Sequence, residues 1–141
     1  MRTIKFRARR KNGEWVVGNF IHHFATYFNT EEHYSIFLPK PENDNGGYWV
    51  EDMDYNTGGQ FTGLYDKNGK EIYEGDIILY GGSIQHEVVF RHGAFGYLLY
   101  GGEFISYAGN TNFTFNPLNR SKEHEVIGNI FGNSEQLKGV K

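Results

Sequence analysis

The chain has 141 residues and a net charge of −3, the size of one ordinary domain, so a single domain spanning 1–141 is expected to bury roughly two thirds of the surface its unfolded form exposes. It contains no cysteine, which excludes a disulfide framework, a thiolate zinc site, an iron–sulfur cluster and a cysteine nucleophile, and points to the cytoplasm. No apolar stretch follows Arg9-Arg10-Lys11 as a secretion signal would require, and no run approaches the ~20 apolar residues of a membrane helix, so no membrane role is expected.

The first strand is announced by period-2 alternation, with Ile4, Phe6 and Ala8 on one side of an extended segment and Lys5, Arg7 and Arg9 on the other. Asn12-Gly13 tolerates the backbone of a tight hairpin, and Glu14 to Ile21 supplies the return strand. A β-prone run from His33 to Leu38 precedes a polar stretch, Pro39 to Gly47, that reads as a long surface loop. Tyr48 to Val50 and Gln60 to Tyr65 are extended, and Asn68-Gly69 turns the chain into Glu71 to Tyr73. Asp76 to Tyr80, Ile84 to Phe90, Ala94 to Tyr100 and Glu103 to Tyr107 follow, each punctuated by glycine. Short strands at such spacing predict an all-β barrel or sandwich. Helix is expected only as one turn near Asn133 to Leu137, with Asn133 as its cap. The repeated Leu-Tyr-Gly-Gly at 79–82 and 99–102 is turn chemistry, too short to mark a solenoid.

Within the centre of the chain, Gly63 and Gly75 are placed where strands turn, and Asp76 is placed to accept a backbone N–H beside the apolar run Ile77-Ile78-Leu79. A structural role for this block outweighs a chemical one, because its glycines and Asp76 all have backbone work to do.

Three blocks together carry a resemblance. They are Ile4-Lys5-Phe6-Arg7-Ala8 with Trp15 and Gly18; the long run from Gly59 through Thr62-Gly63-Leu64-Tyr65-Asp66-Lys67-Asn68-Gly69 to Gly75-Asp76-Ile77-Ile78; and Glu125-Val126-Ile127-Gly128-Asn129-Ile130-Phe131. In this order they resemble the YopX-like family of phage and prophage proteins, with 24–54 and 101–122 as the variable parts between them. The resemblance implies a compact, all-β, multi-sheet fold with barrel and sandwich features, SH3-like barrel features among them, encoded by phages or prophages and working in the bacterial cytoplasm. It implies no activity and transfers no site residue.

Known catalytic and metal patterns are missing. Gly63 and Gly69-Lys70 have five intervening residues, and Glu71 stands where a phosphate loop needs Ser or Thr. Asn43 to Gly46 and Asp66 to Gly69 fail as calcium loops, because Pro41 and Leu64 occupy the first ligand position. His86-Glu87 and His124-Glu125 lack the second histidine of a zinc helix, and His22-His23 points one imidazole to each face of a strand. No serine lies in a nucleophile elbow. No metal, no cofactor and no enzymatic activity are therefore expected.

What remains is the basic hairpin. Arg2, Lys5, Arg7, Arg9, Arg10 and Lys11 crowd into the first 11 positions of a chain that is otherwise acidic. Lys5, Arg7 and Arg9 share a strand face, with Trp15, Phe20, Tyr27 and Phe28 near in sequence. Basic groups beside rings are how small β-barrels hold single-stranded nucleic acid, which makes Lys5, Arg7, Arg9 and Trp15 the candidate contacts. The plainer reading is a solvated strand paired to acids such as Glu14, with the rings in the core, and the sequence pI of about 6.1 favours it. The expected function is non-enzymatic binding of a phage or host macromolecule, nucleic acid being the specific form. A protein-interaction or self-assembling module, including a homo-oligomer, is the alternative, and a small enzyme with a dispersed site the third.

Overall fold

The computed structural model describes residues 1–27, 30–39, 46–80, 84–99, 102–107 and 120–132. Within these the protein is all-β, with one short 3-10 turn at Arg120–Glu123. The helical turn expected at 133–137 and most of the loop expected at 39–47 lie outside the described residues. The chain forms two compact units, 1–60 and 61–141, and their boundary falls inside one long strand.

The first unit opens with β1 (Phe6–Arg10) and β2 (Trp15–His23), followed by β3 (His33–Pro39), β4 (Gly47–Val50) and the start of β5 (Met53–Tyr65). Their order is β4-β3-β2-β1-β5, and every pairing is antiparallel. The β1–β2 turn is the hairpin that Asn12-Gly13 predicts: Gly13 has φ 92°, which suits glycine alone among common residues, and its N–H donates to the Arg10 carbonyl at 2.9 Å. Alternation then sorts the side chains. Ala8, Val16, Ile36, Val50 and Met53 are buried on one face, with Phe20 and Leu38 packed against them. Each aliphatic side chain so removed from water contributes about 1.5–3 kcal/mol. Ile4, expected on this side, is 56% exposed and lies before β1, which begins at Phe6.

β5 departs furthest from expectation. Extended structure is predicted only from Gln60, yet the strand begins at Met53, with an irregularity opposite Arg7 and Arg9 where the register jumps from Gly59 to Asp54. There the Arg9 N–H donates to Thr57 Oγ1 at 2.8 Å, and the Thr57 hydroxyl donates to the Asp54 carbonyl at 2.6 Å. A buried threonine thus replaces the missing ladder partner, as burial of a backbone N–H demands.

The second unit contains the rest of β5 with β6 (Glu71–Tyr73), and a five-stranded antiparallel sheet of order β10-β9-β8-β7-β11. These strands are β7 (Asp76–Leu79), β8 (Gln85–Arg91), β9 (Ala94–Leu98), β10 (Phe104–Ser106) and β11 (Glu125–Asn129). Ile72, Ile78, Val88, Tyr97 and Val126 form its core. The all-β, multi-sheet fold is as expected, and of the barrel or sandwich alternatives no barrel closes: closure needs the first and last strands of an order to pair, and among the described residues they do not.

The turn residues of the central block have the backbone roles expected of them. Asp76 Oδ2 accepts the Tyr73 N–H at 2.7 Å. Asp66, only 1% exposed, does more: one oxygen accepts the N–H groups of Asn68 and Lys70, each at 2.8 Å, and the other accepts that of Val126 at 2.9 Å, sixty residues away.

Candidate nucleic-acid interface

The face of β1–β2 turned away from Ala8 and Val16 carries the cations, where Nε and one terminal nitrogen of Arg7 are buried. In the antiparallel register Arg7 faces Val17 and Arg9 faces Trp15, which sets Arg7 diagonally against the indole. The Arg7 guanidinium carbon lies 5.0 Å from the centroid of the Trp15 ring, a cation–π contact. On the other side of β1, Arg7 faces Gly59, which has no side chain to compete for the space. Lys5 is half-buried immediately before β1. Arg7, Arg9 and Trp15 are therefore brought together, while of the neighbouring rings Phe20 belongs to the opposite face, where it packs with Phe6 and Tyr34 at 5.5 and 5.3 Å. Tyr27 is almost wholly exposed, and Phe28 lies outside the described residues.

Glu14 pairs with Arg10: the Arg10 guanidinium lies 3.5 Å from Glu14 and donates to Asp52 at 3.1 Å. A cleft of about 430 Å³ beside the hairpin turn is lined by Arg9, Arg10, Lys11, Asp54 and Tyr55. With Arg10 committed to Asp52 and Glu14, and with Asp54 in its wall, the cleft has less positive character than its sequence implies.

The same face extends further than the sequence reading anticipated. Pairing of Asn19 with Phe37, and of Phe37 with Trp49, puts both rings on the side of Trp15, and they meet at 4.9 Å. Trp49 is 46% exposed, and Val17 and Ile21 beside it are also exposed. His23 and His33, directly opposed across β2 and β3, stack at 4.3 Å with ring planes 6° apart, and His23 Nε2 shares a 2.6 Å hydrogen bond with the buried Ser35 hydroxyl. His22 turns the other way, stacking on Tyr34 at 4.4 Å, as strand alternation requires. Carrying the alternation from Trp15 through 17, 19 and 21 would have reached His23; Phe37 and Trp49 needed the β2–β3–β4 register, which no local pattern supplies.

Two histidines of the second unit have structural partners. The His86 ring donates from Nδ1 to the Leu98 carbonyl at 2.8 Å, and the buried His124 shares a 3.0 Å hydrogen bond with the Tyr107 hydroxyl. Burial, with the nearby Tyr97 and Asp76, pushes the Tyr107 phenol well above its ordinary range, so it stays neutral. Among the described residues no three His, Asp or Glu side chains converge as a metal site would need. None of the helices there is long and apolar enough to cross a membrane.

Residues 5–138 match the family described as YopX protein. The chain belongs to the YopX family. Among solved structures it is similar to protein EF1440 from Enterococcus faecalis, with 25% identity over 97% of this chain and 99% of that one and a TM-score of 0.55. No curated protein matches the sequence. A YopX match so nearly complete agrees with the three sequence blocks, which lie in β1–β2, in β5 through β7, and from β11 to Phe131.

Proposed function

We propose that this YopX protein is a phage- or prophage-encoded accessory protein of the bacterial cytoplasm that acts by binding single-stranded nucleic acid, not by catalysis. The observation that carries the reading is the Arg7–Trp15 contact on a face shared with Arg9, Phe37 and the half-exposed Trp49. Cations follow a phosphate backbone and rings stack on bases of any sequence, each stacked base contributing about 1–3 kcal/mol. The phage origin and compartment follow the family resemblance. The non-enzymatic reading is supported by the aspartates of the central block, whose carboxylates are occupied by backbone N–H groups.

A second reading draws on β4, an edge strand whose Tyr48 and Trp49 are both exposed. Unpaired edges with exposed rings are where a protein partner or a second copy adds a strand. Concentration-dependent mass would favour it.

The test is anisotropy of labelled single- and double-stranded DNA and RNA at ~50 and ~200 mM salt. Three phosphate contacts from Lys5, Arg7 and Arg9 give a salt slope of about −2, hence a loss of roughly 20-fold over that range. Arg7→Glu is expected to weaken single-strand binding about tenfold or more by replacing an attraction with a repulsion. Absence of binding at the lower salt sinks the proposal.

A further inference from the structure

We propose that the stacked imidazoles of His23 and His33 form a proton-gated phosphate subsite at the far end of this face. The inference rests on the nucleic-acid reading for its natural ligand, a phosphodiester, and adds a dependence on pH that the arginines do not supply. Parallel rings at 4.3 Å stack favourably, and one protonated ring can lie against a neutral neighbour. A second proton sets like charges side by side, which is disfavoured unless an anion lies against both. Binding of phosphate and uptake of protons are then linked: each promotes the other.

The surroundings favour this coupling. Among the described residues, the side chains packed against the pair include Ser35 from β3 and Trp49 from β4, the latter at 5.9 Å from His23, and neither is charged. His22 on the same strand faces the opposite side, where its Nε2 is 3.2 Å from Glu32. Glu31 and Glu32 precede His33, and Glu51 follows Trp49 by two residues; these are the carboxylates nearest the pair in the chain. The Ser35 bond occupies Nε2 of His23, which leaves Nδ1 as the ring nitrogen available to an anion, a donor in the protonated ring. Trp49 beside it provides the ring on which the adjoining base would lie.

The experiment follows the histidine ring protons of the whole chain by NMR across pH, in chloride and in inorganic phosphate at matched ionic strength. In parallel it measures oligo-dT affinity at about pH 7.5 and 5.5, either side of the ordinary imidazole range. Phosphate is expected to raise the titration midpoints of His23 and His33 while leaving His22 in place. Wild-type affinity is expected to rise about fivefold at the lower pH, as for one added phosphate contact. In the His23→Gln/His33→Gln double variant that gain disappears. Midpoints unmoved by phosphate overturn the subsite, and so does a pH dependence that survives the double variant. Binding that is present but flat with pH overturns the subsite alone and leaves the nucleic-acid reading standing. Phosphate-shifted midpoints without oligonucleotide binding support the subsite and sink that reading instead. The wild-type titration decides the matter even if the double variant fails to fold.

Discussion

Asp66 carries more structural consequence than any other single side chain of the second unit. Burial by itself pushes its carboxyl group up, but the N–H groups of Val126, Lys70 and Asn68, with the charge of Lys70, outweigh burial and hold it below the ordinary carboxylate range. A carboxylate depressed in the folded state contributes stability that is present above its unfolded value and is lost as pH falls through the folded one. Asp66→Asn is therefore expected to cost about 1–3 kcal/mol at neutral pH, because an amide oxygen accepts more weakly and its NH₂ group faces donors. It should also flatten the loss of stability below about pH 4. Urea unfolding at several pH values checks both, and a variant as stable as the wild type with an unchanged acid limb would contradict the assignment. Asp76 was legible in the sequence because its partner, Tyr73, is three residues away. Asp66 was not, because Val126 is its most distant partner and a contact over sixty residues leaves no local mark.

At the scale of elements, β1, β2 and their turn were readable because alternation and Asn12-Gly13 agree on one hairpin. The beginning of β5 was hidden: Asp54, Asn56, Gly58 and Gly59 have turn composition, and only pairing with β1 and the Thr57 substitution for a ladder bond make the segment extended. Gly18 shows how closely β2 and β3 approach. A Cβ there would collide with the Phe37 carbonyl oxygen and lie 2.8 Å from Ile36 Cγ2, a core atom. Gly18→Ala is accordingly expected to destabilise the first unit by about 3 kcal/mol, at the upper end of overpacking costs, since a backbone oxygen cannot move aside as a side chain does. A thermal melt tests this; an unchanged midpoint would mean that β3 is not held against β2 as described.

Across the whole molecule, the net charge of −3 and the basic hairpin make opposite impressions, and the structure explains how both hold. Arg10 is matched by Asp52 and Glu14, whereas Arg7 lies against Trp15, and Arg9 faces Trp15 on one side and Asp54 on the other. Half of the candidate surface was therefore legible, as Lys5, Arg7, Arg9 and Trp15, because alternation within one hairpin assigns a face. The other half, Phe37, Trp49, His23 and His33, lies on or beside strands brought in by the 24–54 segment, where the sequence blocks that mark the family are silent. The chain contains two tryptophans, Trp15 and Trp49, and both belong to this face, so intrinsic tryptophan emission watches the proposed interface and nothing else. The most direct measurement is that emission during titration with oligo-dT at ~50 mM salt, followed by salt to ~200 mM. Bases stacking on the indoles should quench it, and the added salt should restore most of it. Emission that stays constant while oligo-dT is demonstrably bound, or that never changes because none binds, would contradict a nucleic-acid surface on this face.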